Sequence, residues 1–316
     1  MQSLAYSVRA QMPAAIACAV LLVACAPALC APDAPKLKVV ATISIIGDWV
    51  HQVGGDDIDL TTLVGPEGDP HEYEPVPSDS ITLSDAAIIF ENGFGLESWL
   101  PKLCDAAQTK AQRVQVTRGI DVRHVPDAEG ARPNGREDDR DPHAWQNVKN
   151  AIVCVGNIRD ALAEADPTHA QAYRDRAAAY DKQLEALDAY IAQQINSLPQ
   201  ERRKLVTSHD AFGYFGQRYG VDISRSALES VTTEAADPSA MQLAAVVDQI
   251  KAAGVPVIFR ESKQNPRLID QIASDANVKV GPPLYSDALG APGSDGDTYL
   301  KMMRYNADVL VNALKP

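Results

Sequence analysis

Six histidines occur in the chain, His51, His71, His124, His143, His169 and His209, and two of them close the same tripeptide, Asp69-Pro70-His71 and Asp141-Pro142-His143. An Asp-Pro pair is an ordinary helix start, with aspartate as the cap and proline in the first helical position. Capping explains Asp and Pro but does not require histidine twice. His209 follows the strand-like run Lys204–Ser208, and Asp287 follows the strand-like run that ends at Tyr285. In parallel α/β sheets ligands gather beyond the carboxyl ends of strands. Three neutral imidazoles and one carboxylate suit a borderline divalent ion, tetrahedrally if the ion is zinc. Asp141 and Asp210, next to imidazoles in sequence, are candidates to balance charge or orient the rings.

The other histidines have weaker claims. His51 falls inside an expected helix, His124 lies in a charged loop, and His169 opens a long helix; each reads as a packed or surface residue.

These residues need elements to hold them. Residues 36–43 read as a buried strand and 45–55 as a helix closed by Gly54-Gly55. Strands at 59–64 and 86–91 and a helix at about 96–108 follow, which is the alternation of a parallel sheet flanked by helices. His71 lies in the loop after Val64, and His143 is expected to open a helix. Asp166-Pro167 starts a helical stretch to Leu198, too long for one lobe, so it bridges two. After Pro199 the alternation resumes: strands at 204–208, 221–225, 255–260 and 278–285, and helices at 211–219, 239–253, 266–275 and 298–314. The expected fold is α/β, two pseudo-symmetric lobes joined by one long rigid helix. The boundaries are 36–165 for the first lobe, 166–199 for the bridge and 203–316 for the second. Residues 121–141 read as a charged surface loop within the first lobe.

The first thirty residues are an export signal in composition. Arg9 is their only charge, and the apolar run Pro13–Ala24 is shorter than the about 20 residues that a bilayer demands. Two ends compete: Leu22-Val23-Ala24-Cys25 matches a lipobox that would lipidate Cys25, and Ala28-Leu29-Cys30 precedes an ordinary cleavage site at Ala31. Past residue 30 the remaining cysteines are Cys104 and Cys154, either a disulfide in an oxidising compartment or two buried thiols. The net charge of −13, without a basic cluster, argues against a nucleic-acid partner.

Several runs together carry a family likeness. Gly68-Asp-Pro-His-Glu-Tyr-Glu-Pro75 with Pro77-Ser78-Asp79, Asn92-Gly93, Glu97-Ser98-Trp99-Leu100 and Asp141-Pro-His-Ala-Trp145 resemble the zinc/manganese-type (cluster A-I) solute-binding proteins of bacterial ABC importers. So do His209-Asp-Ala-Phe-Gly-Tyr-Phe215, Thr233-Glu234 and Tyr285-Ser-Asp-Ala-Leu289. The resemblance implies one metal held between the lobes by His71, His143, His209 and Asp287. It also implies an exported, monomeric receptor that hands the ion to a membrane permease, with a periplasmic metallochaperone as a further partner. Histidine at the third ligand position is usual where zinc is carried and glutamate where manganese is carried, so zinc is expected ahead of manganese. A departure is the loop before the second ligand, which is His-rich in many zinc-type members and holds only His124 here. A secreted zinc hydrolase is the alternative of another class. Against it stand the fourth protein ligand and the lack of an HExxH run.

Overall fold

Leu37–Ile43 (LKVVATI) is the central strand, β1, because it is rich in β-branched residues and its second half is buried on both faces. In this computed structural model the described residues are 35–124, 140–207, 210–223, 239–261 and 266–315. β1 pairs in parallel with β2 (Ile58–Val64) on one side and with β3 (Ile88–Glu91) on the other, and β4 (Gln112–Gln115) lies outside β3. The sheet order is β2-β1-β3-β4. α1 (Ser44–Gly54), α2 (Pro77–Asp85) and α3 (Leu100–Ala107) connect these strands.

The second half repeats the layout with shorter strands. β5 (Lys204–Leu205) pairs with β6 (Asp222–Ile223), and β7 (Val257–Ile258) pairs with β8 (Lys279–Val280), all in parallel. The Phe259 amide donates to the Val206 carbonyl at 3.0 Å and joins the two pairs. The resulting order, β6-β5-β7-β8, mirrors that of the first sheet, so the expected α/β fold with two similar lobes is present. α6 (Gly213–Tyr219), α7 (Ala240–Ala253) and α8 (Pro266–Ala276) connect these strands, and α9 (Tyr299–Leu314) follows. Gly254 ends α7 in the left-handed region at φ 63°, where a side chain would be strained.

The long helix is α5, Ala170–Asn196, roughly 40 Å at 1.5 Å per residue. Its N-terminal half holds the first lobe: Arg176 donates to the Val53 and Gly54 carbonyls and to Asp57. Its C-terminal half holds α6, since buried Asp188 accepts from Arg218 and from the Tyr219 hydroxyl. The helix starts three residues later than expected. Asp166 instead ends α4 (Val148–Ala165) and accepts from His169 Nδ1 at 2.6 Å and from the Tyr173 hydroxyl at 2.8 Å. His169 is therefore hydrogen-bonded to Asp166 rather than an idle surface group.

Other expectations need correction. The sequence pattern does not reveal α2 and β4, which are too polar to announce themselves, and the helix expected from His143 is α4, which starts only at Val148. His143 does not open an α-helix but precedes a 3-10 turn, Ala144–Gln146. Cys104 and Cys154 are both free and buried, and desolvation pushes both thiols up, so the thiol alternative holds. The signal segment, most of the charged loop, His209 and Thr233-Glu234 lie outside the described residues.

One large hydrophobic cluster runs through the first sheet, α1, α4, α5 and α9 and reaches Phe212, Phe215, Phe259 and Leu284. A smaller one packs α7 and α8 against the second sheet through Val206, Ile250, Ile258, Ile269 and Ile272. Lys36–Pro316 is thereby one compact unit, and no helix among its described residues is long and apolar enough to cross a membrane.

Candidate metal centre

His71, His143 and Asp287 converge. Each offers one ligand atom, and these atoms all lie within 4.8 Å of one another. The His71 and His143 ring centroids are 5.4 Å apart, and His143 Nε2 is 3.4 Å from Asp287 Oδ1. Nitrogen and oxygen donors in this mix and at this spacing suit a borderline divalent ion. The fourth expected ligand, His209, lies outside the described residues; its neighbour Asp210 faces the same region through Arg123, 3.6 Å away.

Each donor is fixed by its own local structure. His71 is in the loop after β2, where its backbone amide donates to Asp69 Oδ1 at 2.9 Å, a local turn that the short Asp side chain favours. The Trp99 indole donates to the Pro70 carbonyl at 2.9 Å, and the Tyr73 ring packs edge-on against Trp99 at 4.9 Å. His71 itself is exposed, whereas His143 is only 6% exposed. The cluster therefore has one open donor and one sealed one.

Asp141 governs His143. Its Oδ1 lies 2.7 Å from His143 Nδ1 and accepts the His143 backbone amide at 3.0 Å. With Nδ1 as the donor, the Nε2 lone pair is left for an ion. Burial alone would raise the Asp141 carboxyl, but the hydrogen bonds from His143 and the charge of Arg123 outweigh it and hold it below its ordinary value. Arg123 Nη1 sits 2.6 Å from Asp141 Oδ2, and its guanidinium occupies the space a Cβ would take at Gly213, only 2.1 Å from that point. The Arg123 amide donates to the Tyr214 hydroxyl, which in turn donates to the Asp141 carbonyl. This arginine stitches the His143 turn to the start of α6.

A second brace lies behind it. Asn92 Nδ2 donates to the Pro142 carbonyl at 2.9 Å, and Glu97 receives Thr42 Oγ1 and the Asn92 and Gly93 amides. On the other side Ser286, next to Asp287, presents its carbonyl to Trp145 Nε1 at 2.7 Å and to Gln146 Nε2 at 3.0 Å. Sequence reasoning singled out the three side chains that converge here, and Asp141 beside them. It missed Arg123, concealed in a loop that reads as solvated charge, and Gln146, for which the sequence carries no signal.

Residues 39–313 match the family model described as ZnuA, periplasmic component A of the zinc-uptake complex. The chain is 37% identical over 282 residues to the manganese-binding lipoprotein MntA of Halalkalibacterium halodurans, covering 89% of this chain and 90% of that protein. It is 36% identical over 303 residues to the manganese ABC transporter substrate-binding lipoprotein PsaA of Streptococcus pneumoniae, covering 94% and 95%. Among solved structures it is similar to the periplasmic zinc binding protein TroA from Treponema pallidum, with a TM-score of 0.78 and 32% identity over 89% of this chain and all of that one.

Proposed function

Because the chain belongs to the ZnuA family of periplasmic metal-binding receptors of ABC transporters, we propose that it carries a divalent transition metal between His71, His143, His209 and Asp287. The observation that carries this reading is the convergence of three of these side chains within 4.8 Å, drawn from three separate loops. His209 completes the set by motif and by its place after β5. The chain performs no chemistry on its cargo, and the secreted zinc hydrolase finds no support among the relatives named above.

Zinc is the ion that the donors favour. Three imidazoles and one carboxylate satisfy a tetrahedral ion, while manganese gains more from oxygen. The names of MntA and PsaA favour manganese as a second reading. The two differ in what they describe, because zinc outranks manganese in equilibrium affinity at almost any nitrogen-containing site, whichever ion is imported.

The receptor works outside the cytoplasm, delivers its ion to a membrane permease, and consists of lobes 36–165 and 203–316 about the bridge 166–199. That MntA and PsaA are lipoproteins supports lipidation at Cys25 over cleavage before Ala31. Protein purified without added metal and analysed by mass spectrometry should hold one divalent ion per chain, and His143→Ala should hold far less. Equal metal content in the two would overturn the site.

A further inference from the structure

Asp287 follows β8 in the chain, yet the contacts that fix its loop come from elsewhere. The carbonyl of Ser286, one residue before it, accepts two hydrogen bonds from the 3-10 turn directly behind His143: Trp145 Nε1 at 2.7 Å and Gln146 Nε2 at 3.0 Å. Two residues after it, the Leu289 amide donates to Ser44 Oγ at 3.0 Å, at the start of α1, and the Leu289 carbonyl accepts the Glu67 amide at 2.9 Å, in the loop that carries His71. Ser286 Oγ donates to Asp287 Oδ2 at 3.0 Å, which leaves Oδ1 on the His143 side.

We infer that Gln146, together with Trp145, is a positioning residue that fixes Asp287 against His143, so that Asp287, from the second lobe, is tied to His71 and His143 of the first as a preassembled set of three. This deepens the metal-receptor reading and rests on it. Gln146 is fully buried, and its Oε1 has no hydrogen-bond partner among the described residues. A buried amide with one end unsatisfied costs stability. The residue is thus poorly suited to stabilising the fold, and its one evident role is the bond to the Ser286 carbonyl. Trp145 supplies the other bond and is itself held, since its carbonyl accepts the Tyr299 hydroxyl at 2.6 Å. Two donors on one carbonyl fix direction as well as distance. A single turn thereby places one ligand at its front and orients a second through its back.

The test compares wild type, Gln146→Leu, Trp145→Phe and His143→Ala as purified metal-free full chains. Zinc affinity is read by competition with a chromophoric chelator, cobalt(II) is added for its visible spectrum, and the metal-free melting temperature is recorded. Gln146→Leu should weaken zinc by about tenfold or more, as outer partners of ligands do. Its cobalt bands should change, because a looser carboxylate alters the geometry, while its metal-free melting temperature stays equal or rises. Trp145→Phe, which keeps an aromatic ring, though a smaller one, and drops one donor, should shift the cobalt spectrum in the same sense and serves as the deciding variant if Gln146→Leu fails to fold. Affinity within twofold of wild type and an unchanged cobalt spectrum would overturn the inference, as would an affinity loss seen only together with a lowered metal-free melting temperature. If wild type binds no metal, the receptor reading itself falls. If His143→Ala abolishes binding while Gln146→Leu and Trp145→Phe match wild type, only the positioning role falls.

Discussion

Asp141 holds His143 twice through a single oxygen: Oδ1 accepts the backbone amide at 3.0 Å and faces the ring Nδ1 at 2.7 Å. The two residues share a turn, so the carboxylate sets both the ring's rotamer and its tautomer before any ion arrives. Asp141→Asn keeps the shape but can present an amide donor to Nδ1, which favours the tautomer with its proton on Nε2. Zinc affinity should fall by about 10- to 100-fold, read by chelator competition, with little change in the far-ultraviolet circular dichroism.

Arg123 links Asp141 to the start of α6, and Gly213 leaves room for its guanidinium. Arg123→Ala strands a fully buried carboxylate without its cation, which costs about 3 kcal/mol of stability. Gly213→Ala should also destabilise, because the new methyl displaces the guanidinium from Asp141. The two changes share one cause, so the double variant should lose clearly less than the sum of the singles in urea denaturation. Strict additivity would mean that the arginine and the glycine act independently.

The fold was legible where the pattern was strong. β1 carries four β-branched residues among seven, and α5 announces itself by the spacing of Tyr173, Tyr180, Leu184, Leu187 and Ile191, all buried in the structure. β4, with the sequence QRVQ, has one apolar residue and gains its strand conformation from its neighbour β3, so no periodicity could reveal it. The site was legible for the opposite reason: His71 and His143 stand out because two identical Asp-Pro-His tripeptides are hard to explain by capping. Gln146 and Arg123 act through tertiary partners 140 and 18 residues away in sequence, which no local spacing encodes.

The rank of zinc over manganese turns on the third ligand. His209→Glu replaces a nitrogen donor with a carboxylate that can bind through both oxygens. That change lowers zinc affinity more than manganese affinity and should narrow the ratio between them. Parallel competition titrations with both ions, on wild type and variant, read the ratio directly. Metal should also raise the melting temperature, and raise it more the tighter it binds, since it favours the native state. An unchanged ratio in His209→Glu would remove His209 from the ligand set and leave the set of His71, His143 and Asp287 standing.

The brace behind the site has its own pH signature. Glu97 is fully enclosed, and desolvation pushes its carboxyl up to about 7, against hydrogen bonds from the Asn92 amide, Thr42 and the Gly93 amide that pull it back. The folded value thus stands above the ordinary 4.5 of the unfolded chain. A raised carboxyl favours folding most when protonated, so its contribution is complete below about pH 4.5 and is lost as the pH rises toward 7. At 1.36 kcal/mol per unit the loss amounts to about 3 kcal/mol, levelling off above neutrality. Glu97→Gln cannot ionise and should flatten this decline. Its amide nitrogen would meet the Gly93 amide, donor against donor, so the variant is less stable than wild type at pH 5 and the gap closes by pH 8. Urea denaturation of metal-free protein at half-unit steps from pH 5 to 8 measures both curves. Parallel curves would mean that the three donors keep Glu97 ionised throughout, and that burial is the weaker force at this position.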